Sequence, residues 1–318
     1  MHSIIPLLIG WGLDLCAGDP ARLPHPIVAF GRWISFFERK ANHGDHRRAK
    51  GTFWTVATLC TLFLSAHLAL AALWTACLQW EAGGAYLYYL VTGILIFYCL
   101  AGTKRRVFRA ADRSLEEGRR QVSRIVGRDT SRLSDQEIRT AALETLAENL
   151  SDGVIAPLFW LYLLGIPGML TYKMINTMDS MLGYRTERFK DFGRAAARID
   201  DAANYLPARL TALLMALAAC IPFRQGKSAR NLKEELRFIR RYGRMHASPN
   251  SGYPESALAG ILDCRFGGPH HYFGEYCFKP YIGNRLRPLT TTDMQQAVAV
   301  NWRAEILMLL TGVLLYLL

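Results

Sequence analysis

TFWTVATLCTLFLSAHLALAALWTACLQW, residues Thr52 to Trp80, contains no Asp, Glu, Lys or Arg and decides the class of the chain. About 20 consecutive apolar residues are enough for a helix to cross the roughly 30 Å hydrocarbon core of a bilayer. A second run without charge, Gly84 to Thr103, follows after Glu81, Ala82 and Gly83, so the two form a helical hairpin. Trp74, Trp80, Tyr86, Tyr88 and Tyr89 cluster at its turn, as aromatic residues do where a helix leaves the membrane. Its open ends are basic: Arg39, Lys40, Arg47, Arg48 and Lys50 precede it, and Lys104, Arg105, Arg106 and Arg109 follow. The positive-inside rule puts those flanks in the cytoplasm and the turn outside. His67 is the polar exception within the first span, and its expected role is a helix-packing hydrogen bond.

Weaker apolar runs lie at 203–223 and 304–318, and weaker still at 3–17 and 154–175. The last is interrupted by Pro157 and by Gly165-Ile166-Pro167-Gly168, and basic segments flank it on both sides. Irregular backbone at membrane depth survives only where protein or water covers it. The expected fold is therefore all-α: a polytopic integral membrane protein of one membrane-embedded domain, 1–318, with helical cytoplasmic loops and a re-entrant or broken membrane helix. Arg105 to Arg139 reads as an amphipathic helix pair broken near Gly127.

Composition agrees. Of the 318 residues 51% are hydrophobic and 20% charged, below the quarter usual for soluble domains. The net charge of +12 sits beside apolar runs rather than in a basic and aromatic groove, which excludes a nucleic-acid partner. The seven cysteines form no C-x-x-C pair and read as small apolar fillers. Met1 to Gly12 lacks the basic region of a cleavable signal peptide.

The polar residues collect in three stretches. The first holds Gly18-Asp19-Pro20, then His25 between Pro24 and Pro26, whose fixed backbone holds the imidazole on a stiff turn. The second begins with Glu144 and Glu148, four apart and so on one helical face, followed by Asp152. It continues through Lys173, Asn176, Asp179, Arg185 and Arg194 to Asp200 and Asp201. Like charges at that spacing repel, and Mg²⁺ relieves them while keeping sites for phosphate oxygens; a solvated stripe is the plainer reading of the same pair. The third is His246-Ala247-Ser248-Pro249-Asn250-Ser251-Gly252-Tyr253-Pro254-Glu255, more polar and rigid than a surface turn needs. There is no G-x-x-x-x-G-K-[ST], G-x-G-x-x-G, H-E-x-x-H or G-x-S-x-G sequence.

These stretches resemble the CbiB/CobD family of cobalamin biosynthesis, in order and over nearly the whole chain. The resemblance rests on Gly18-Asp19-Pro20 with Leu23-Pro24-His25-Pro26 and Gly31-Arg32, and on Glu144-Thr145-Leu146-Ala147-Glu148-Asn149-Leu150-Ser151-Asp152-Gly153. It extends through Asn176 to Arg185, Asp191 to Asp201, and the His246 to Glu255 stretch. It implies an adenosylcobinamide-phosphate synthase: a multi-pass protein of the inner cell membrane, with its site on the cytoplasmic side. Such an enzyme joins a carboxylate of the corrinoid adenosylcobyric acid to aminopropanol or its phosphate, using ATP and Mg²⁺. On that basis Glu144, Glu148, Asp152, Asp179, Asp200 and Asp201 are the expected metal ligands. Lys173, Arg185 and Arg194 neutralise phosphate, and His246 or Glu255 takes the amine proton. His25, Asn176, Ser248, Asn250 and Ser251 are the expected substrate contacts. Expected partners are these small molecules, membrane lipids and later membrane enzymes of the pathway. Two other readings compete: a non-catalytic AmpE-like membrane sensor, and a transporter, which would want paired broken helices in two halves.

Overall fold

The computed structural model describes residues 3–17, 26–100, 123, 133–222, 231–272 and 275–317 of the chain. Its elements are α1 (Ile5–Ala17), α2 (Pro26–Ala41), α3 (Arg47–Cys77), α4 (Glu81–Cys99), α5 (Asp135–Leu150), a π turn (Ser151–Ile155), α6 (Ala156–Leu182), α7 (Arg194–Ala203), α8 (Tyr205–Ala219), α9 (Leu232–Tyr242), α10 (Gly252–Leu262), β1 (Phe266–Tyr272), β2 (Glu275–Ile282) and α11 (Thr291–Leu317). Among the described residues, Arg47–Cys77, Asp135–Leu182 and Thr291–Leu317 are long and apolar enough to cross a membrane. The α7–α8 pair, broken at Asn204, is a candidate fourth span. The protein is an all-α polytopic membrane protein, with one small antiparallel hairpin, β1–β2, that the all-α reading did not foresee.

Two compact units organise the chain. Unit 1 comprises Met1–Gly102, Ala156–Asn204 and Gly312–Leu318; unit 2 comprises Thr103–Ile155 and Tyr205–Thr311. In unit 1, α1 packs along α4, where Ile96 lies over Gly10 and Ile9 over Gly93, the close approach that small residues permit between membrane helices. The core that carries the polar loop after α6 is built from Ile34 and Ala41 of α2, Met174, Met178 and Leu182 of α6, Phe192, and Ala196 of α7. In unit 2, α10 is the hub, packing on α5, α8 and α9; Ala257, Leu258 and Ala259 are fully buried there.

The apolar run at 154–175 does form a broken helix. Gly165 stands at φ 68° within α6, in a region that costs other L-residues energy, and Pro167 removes a backbone donor two residues later. The last span starts at Thr291, well before residue 304. Its polar first half is satisfied inside unit 2, which a hydropathy sum cannot see: Arg287 pairs with Asp293, and Asn301 Nδ2 donates to the Leu146 carbonyl at 3.2 Å. His67 is exposed on α3, parallel to Phe63 at 6.5 Å, and among the described residues it makes no helix-packing hydrogen bond. Most of the expected 105–139 helix pair lies outside the described residues. Its end starts α5, capped reciprocally: Ser134 Oγ accepts the Glu137 N–H, and Glu137 Oε2 accepts the Ser134 N–H.

Candidate active site

Unit 2 gathers the first acidic pair and the His246 stretch. The i, i+4 spacing on α5 points Glu144 and Glu148 into the unit rather than into solvent. Glu144 is buried, and its Oε1 accepts the Gly267 N–H of β1 at 2.9 Å. Glu148 Oε1 accepts the Ser251 hydroxyl proton at 3.2 Å. Asp152 follows one turn later on the π turn, half-buried; such turns recur at functional sites because they redirect side chains.

The loop into α10 is built by its own polar side chains. Ser248 Oγ accepts the N–H groups of Asn250 and Ser251, at 3.2 and 3.3 Å. His246 Nδ1 accepts the Ser248 N–H at 3.0 Å. A backbone N–H can only donate, so Nδ1 is unprotonated and the neutral imidazole carries its proton on Nε2. That nitrogen points toward Glu255, whose Oε1 lies 3.7 Å away and whose side chain is fully buried in the first turn of α10. Burial, and then the Lys279 charge, hold the His246 pKa below its ordinary value against the opposing pull of Glu148 and Glu144. At neutral pH His246 therefore presents a neutral N–H donor toward the Glu255 carboxyl group.

Unit 1 holds the remaining candidates in two places. On the buried side of α7, Tyr172 Oη donates to Asn204 Oδ1 at 2.8 Å, and Asn204 Nδ2 donates to Asp200 Oδ2 at 3.0 Å. Asn176, Asp179 and Asp201 lie around the Asp200 carboxyl group. On the open side, Arg185, Arg194 and Asp201 line one cavity of about 530 Å³. Lys173 is buried within α6, where its charge acts on Cys99, and it does not line that cavity. His25 lies outside the described residues.

Among the described residues, no three His, Cys, Asp or Glu side chains gather around one ion position. Mg²⁺ nevertheless suits such sparse sites, since it takes one or two carboxylates and fills its octahedron with water and phosphate oxygens. Asp200 fits that role in unit 1: its Oδ1 is buried without a hydrogen bond of ordinary geometry, beside a second carboxylate. Glu148, whose Oε1 accepts the Ser251 hydroxyl, is the comparable carboxylate in unit 2.

Residue-type reasoning missed Arg209, Lys279 and Arg198. Arg209 lies between two aromatic faces, 3.5 Å from the Tyr205 ring centroid and 4.1 Å from that of Tyr253, and donates to Asn250 Oδ1 at 3.2 Å. It thereby fastens the His246 loop to α8. The available signal was an arginine one turn into an apolar run, a placement that asks for a reason.

The CobD/Cbib protein family profile matches residues 7–301. The chain is 43% identical over 309 residues to the cobalamin biosynthesis protein CobD of Geobacter metallireducens, covering 94% of this chain and 92% of that one. It is 39% identical over 321 residues to the cobalamin biosynthesis protein CbiB of Salmonella arizonae, covering 96% and 95%. It is 37% identical over 308 residues to CobD of Halalkalibacterium halodurans, covering 93% and 91%. No solved structure matches the chain. With nearly its full length matched, the chain belongs to the CobD/CbiB family.

Proposed function

We propose that this protein acts in cobalamin biosynthesis as an amide-forming ligase of the cytoplasmic face of the cell membrane. Its substrates on this reading are adenosylcobyric acid and aminopropanol or its phosphate, with ATP consumed. The observation that carries it is the imidazole–carboxylate cluster of unit 2, His246 and Glu255 with Glu148 and Glu144. The names of the relatives support the pathway.

A carboxylate is a poor electrophile. Its oxygen first attacks the terminal phosphorus of ATP, giving an acyl phosphate and ADP; the amine nitrogen then attacks the acyl carbon and phosphate leaves. Within unit 1, Arg185 and Arg194 offer cations to phosphate oxygens, as positioned cations do in phosphoryl transfer. Mg²⁺, when bound, supplies further neutralisation, with Asp200 and Asp179 in unit 1 or Glu148 and Asp152 in unit 2 as its protein donors. The attacking amine must lose a proton. His246, with its Nδ1 lone pair already accepting the Ser248 N–H, is a donor at Nε2, which leaves Glu255 as the acceptor and His246 as the group that steadies charge on the acyl oxygen. Ser248 and Ser251 hold this loop in register with α5, and Asn250 ties it to Arg209.

The test is product formation by the detergent-purified full chain, given adenosylcobyric acid, either amine, ATP and Mg²⁺. A new amide by mass spectrometry that disappears without ATP supports the reading. Folded protein that yields no amide and binds no corrinoid overturns it; corrinoid binding without product from either amine favours the sensor reading.

A further inference from the structure

The loop of residues 183–193 separates its basic side chains into two kinds. Arg188 is used for structure: Nε and Nη2 donate to the two Glu38 oxygens of α2, at 3.0 and 2.9 Å, and hold that carboxylate below the usual range. Asn42 Nδ2 donates to the Arg188 carbonyl at 2.9 Å, Arg47 Nη1 donates to the Glu187 carbonyl at 3.3 Å, and Arg47 pairs with Asp191 at 3.6 Å. The loop's ends also meet closely. A Cβ on Gly193 would overlap the Leu182 carbonyl, so only glycine closes the loop against the end of α6. The loop is thus fixed from behind by α2 and α3.

The other cations face the cavity. Arg194 and Arg198 stand one turn apart on α7, Arg185 enters from the loop, and Lys190 completes the rim. Lys190 is shared with Glu187 at 2.7 Å, and Arg185 is opposed by Asp201. Among the described residues, Arg194 and Arg198 have no carboxylate partner. A cavity of about 530 Å³ walled by four cations and one carboxylate keeps a local excess of positive charge that folding alone does not require. Tyr184 and Phe189, ring centroids 6.5 Å apart, form an aromatic wall. The Arg47 contacts place the cavity at the same helix ends as the basic 39–50 segment, the end expected on the cytoplasmic side.

We infer that this unit 1 cavity is a binding site for a phosphate-bearing polyanion, with Arg198 and Arg194 its principal donors. Two sources share that chemistry: the polyphosphate of a nucleoside triphosphate and the headgroup of an anionic lipid. The site deepens the ligase reading by naming the anion's class, and rests on that reading only for the nucleotide.

Inorganic tripolyphosphate is the probe, titrated calorimetrically into the detergent-purified full chain. Arg198→Gln and Arg194→Gln each weaken its binding about tenfold or more, as expected for a charge-assisted hydrogen bond. Arg240→Gln, the same charge change on exposed α9, leaves the affinity unchanged. Displacement of the probe by ATP assigns the site to a nucleotide; displacement by phosphatidylglycerol in nanodiscs and not by ATP assigns it to lipid. No binding of the probe, equal binding by the Arg198 and Arg194 variants, or equal weakening by Arg240→Gln overturns the site. The measurement needs no turnover, so an inactive ligase would leave its answer intact.

Discussion

The two candidate regions solve opposite electrostatic problems. In unit 2 the acids and the imidazole are buried or half-buried and spoken for: Glu144 by a backbone N–H, Glu148 by a hydroxyl, His246 by the Ser248 N–H. In unit 1 the arginines of the α7 cavity are exposed and their charge is left available. A proton-transferring group needs a fixed tautomer and a tuned pKa, which burial and hydrogen bonds supply. A polyanion clamp needs uncompensated charge close to water, which pairing would remove. On the proposed reading, the difference puts proton chemistry in unit 2 and phosphate handling in unit 1.

That division breaks most directly at Glu255. Glu255→Gln keeps the shape of the side chain, removes the proton acceptor, and lowers amide formation about 10²–10⁴-fold, the usual contribution of a general base. Tripolyphosphate binding in unit 1 stays unchanged. A parallel loss of both, measured by single-turnover assay and calorimetry, would show that the units do not divide the labour. Glu148→Gln is next. It loses about 10–100-fold in rate, the scale of perturbed metal-site shells, and its Mg²⁺ requirement shifts to higher concentration. Full turnover with unaltered Mg²⁺ dependence would remove Glu148 from the metal.

Arg209 sharpens the comparison from within unit 2, because its guanidinium is spent on packing. Arg209→Lys keeps the charge but loses the planar stack between Tyr205 and Tyr253 and the reach to Asn250. With cation–π contacts worth about 0.5–2 kcal/mol each, a drop in kcat of roughly tenfold follows, with KM for ATP unmoved. A rise in KM for ATP instead would connect Arg209 to the nucleotide.

How much of this the sequence discloses depends on the range of the forces involved. The spans and the shared face of Glu144 and Glu148 come from hydropathy and helical period, both local sums, and both are legible. Division of the acids between units is not, since Asp179 and Asp200 meet only when α6 and α7 pack. Nor does residue type separate Arg188 from Arg185: three positions apart in one loop, one finds Glu38 from α2 and the other a cavity. The hairpin was hidden for a related reason. Phe266-Gly267-Gly268-Pro269 has no alternation to mark a strand, and its pairing with β2 arises across the turn.

Glu38→Gln tests the anchor behind the unit 1 cavity. It removes the charge that Arg188 grips, loosens the 183–193 loop, and weakens tripolyphosphate binding a few-fold in the same calorimetric titration, while unit 2 is unaffected. Unchanged affinity would show that the loop is held by Phe192 and the α6 core alone.

The smallest effect is in pH dependence, and its sign follows from His246. Its folded pKa is lowered, chiefly by burial, so between that value and the ordinary histidine value the unfolded chain binds the extra proton. The stability this gives is complete above the ordinary value and is lost as pH falls from there toward the folded one. Thermal unfolding in detergent should therefore show Tm falling between about pH 7.5 and about pH 5.5, a window that brackets the ordinary value near 6.5. His246→Gln removes the titrating group, and its Tm should fall less over the same window. Identical slopes would mean that the imidazole is hydrated in the folded protein. In that case Nε2 would not be the sheltered donor that the Ser248 contact implies, and the contrast between a buried proton site and an open anion site would lose its unit 2 half.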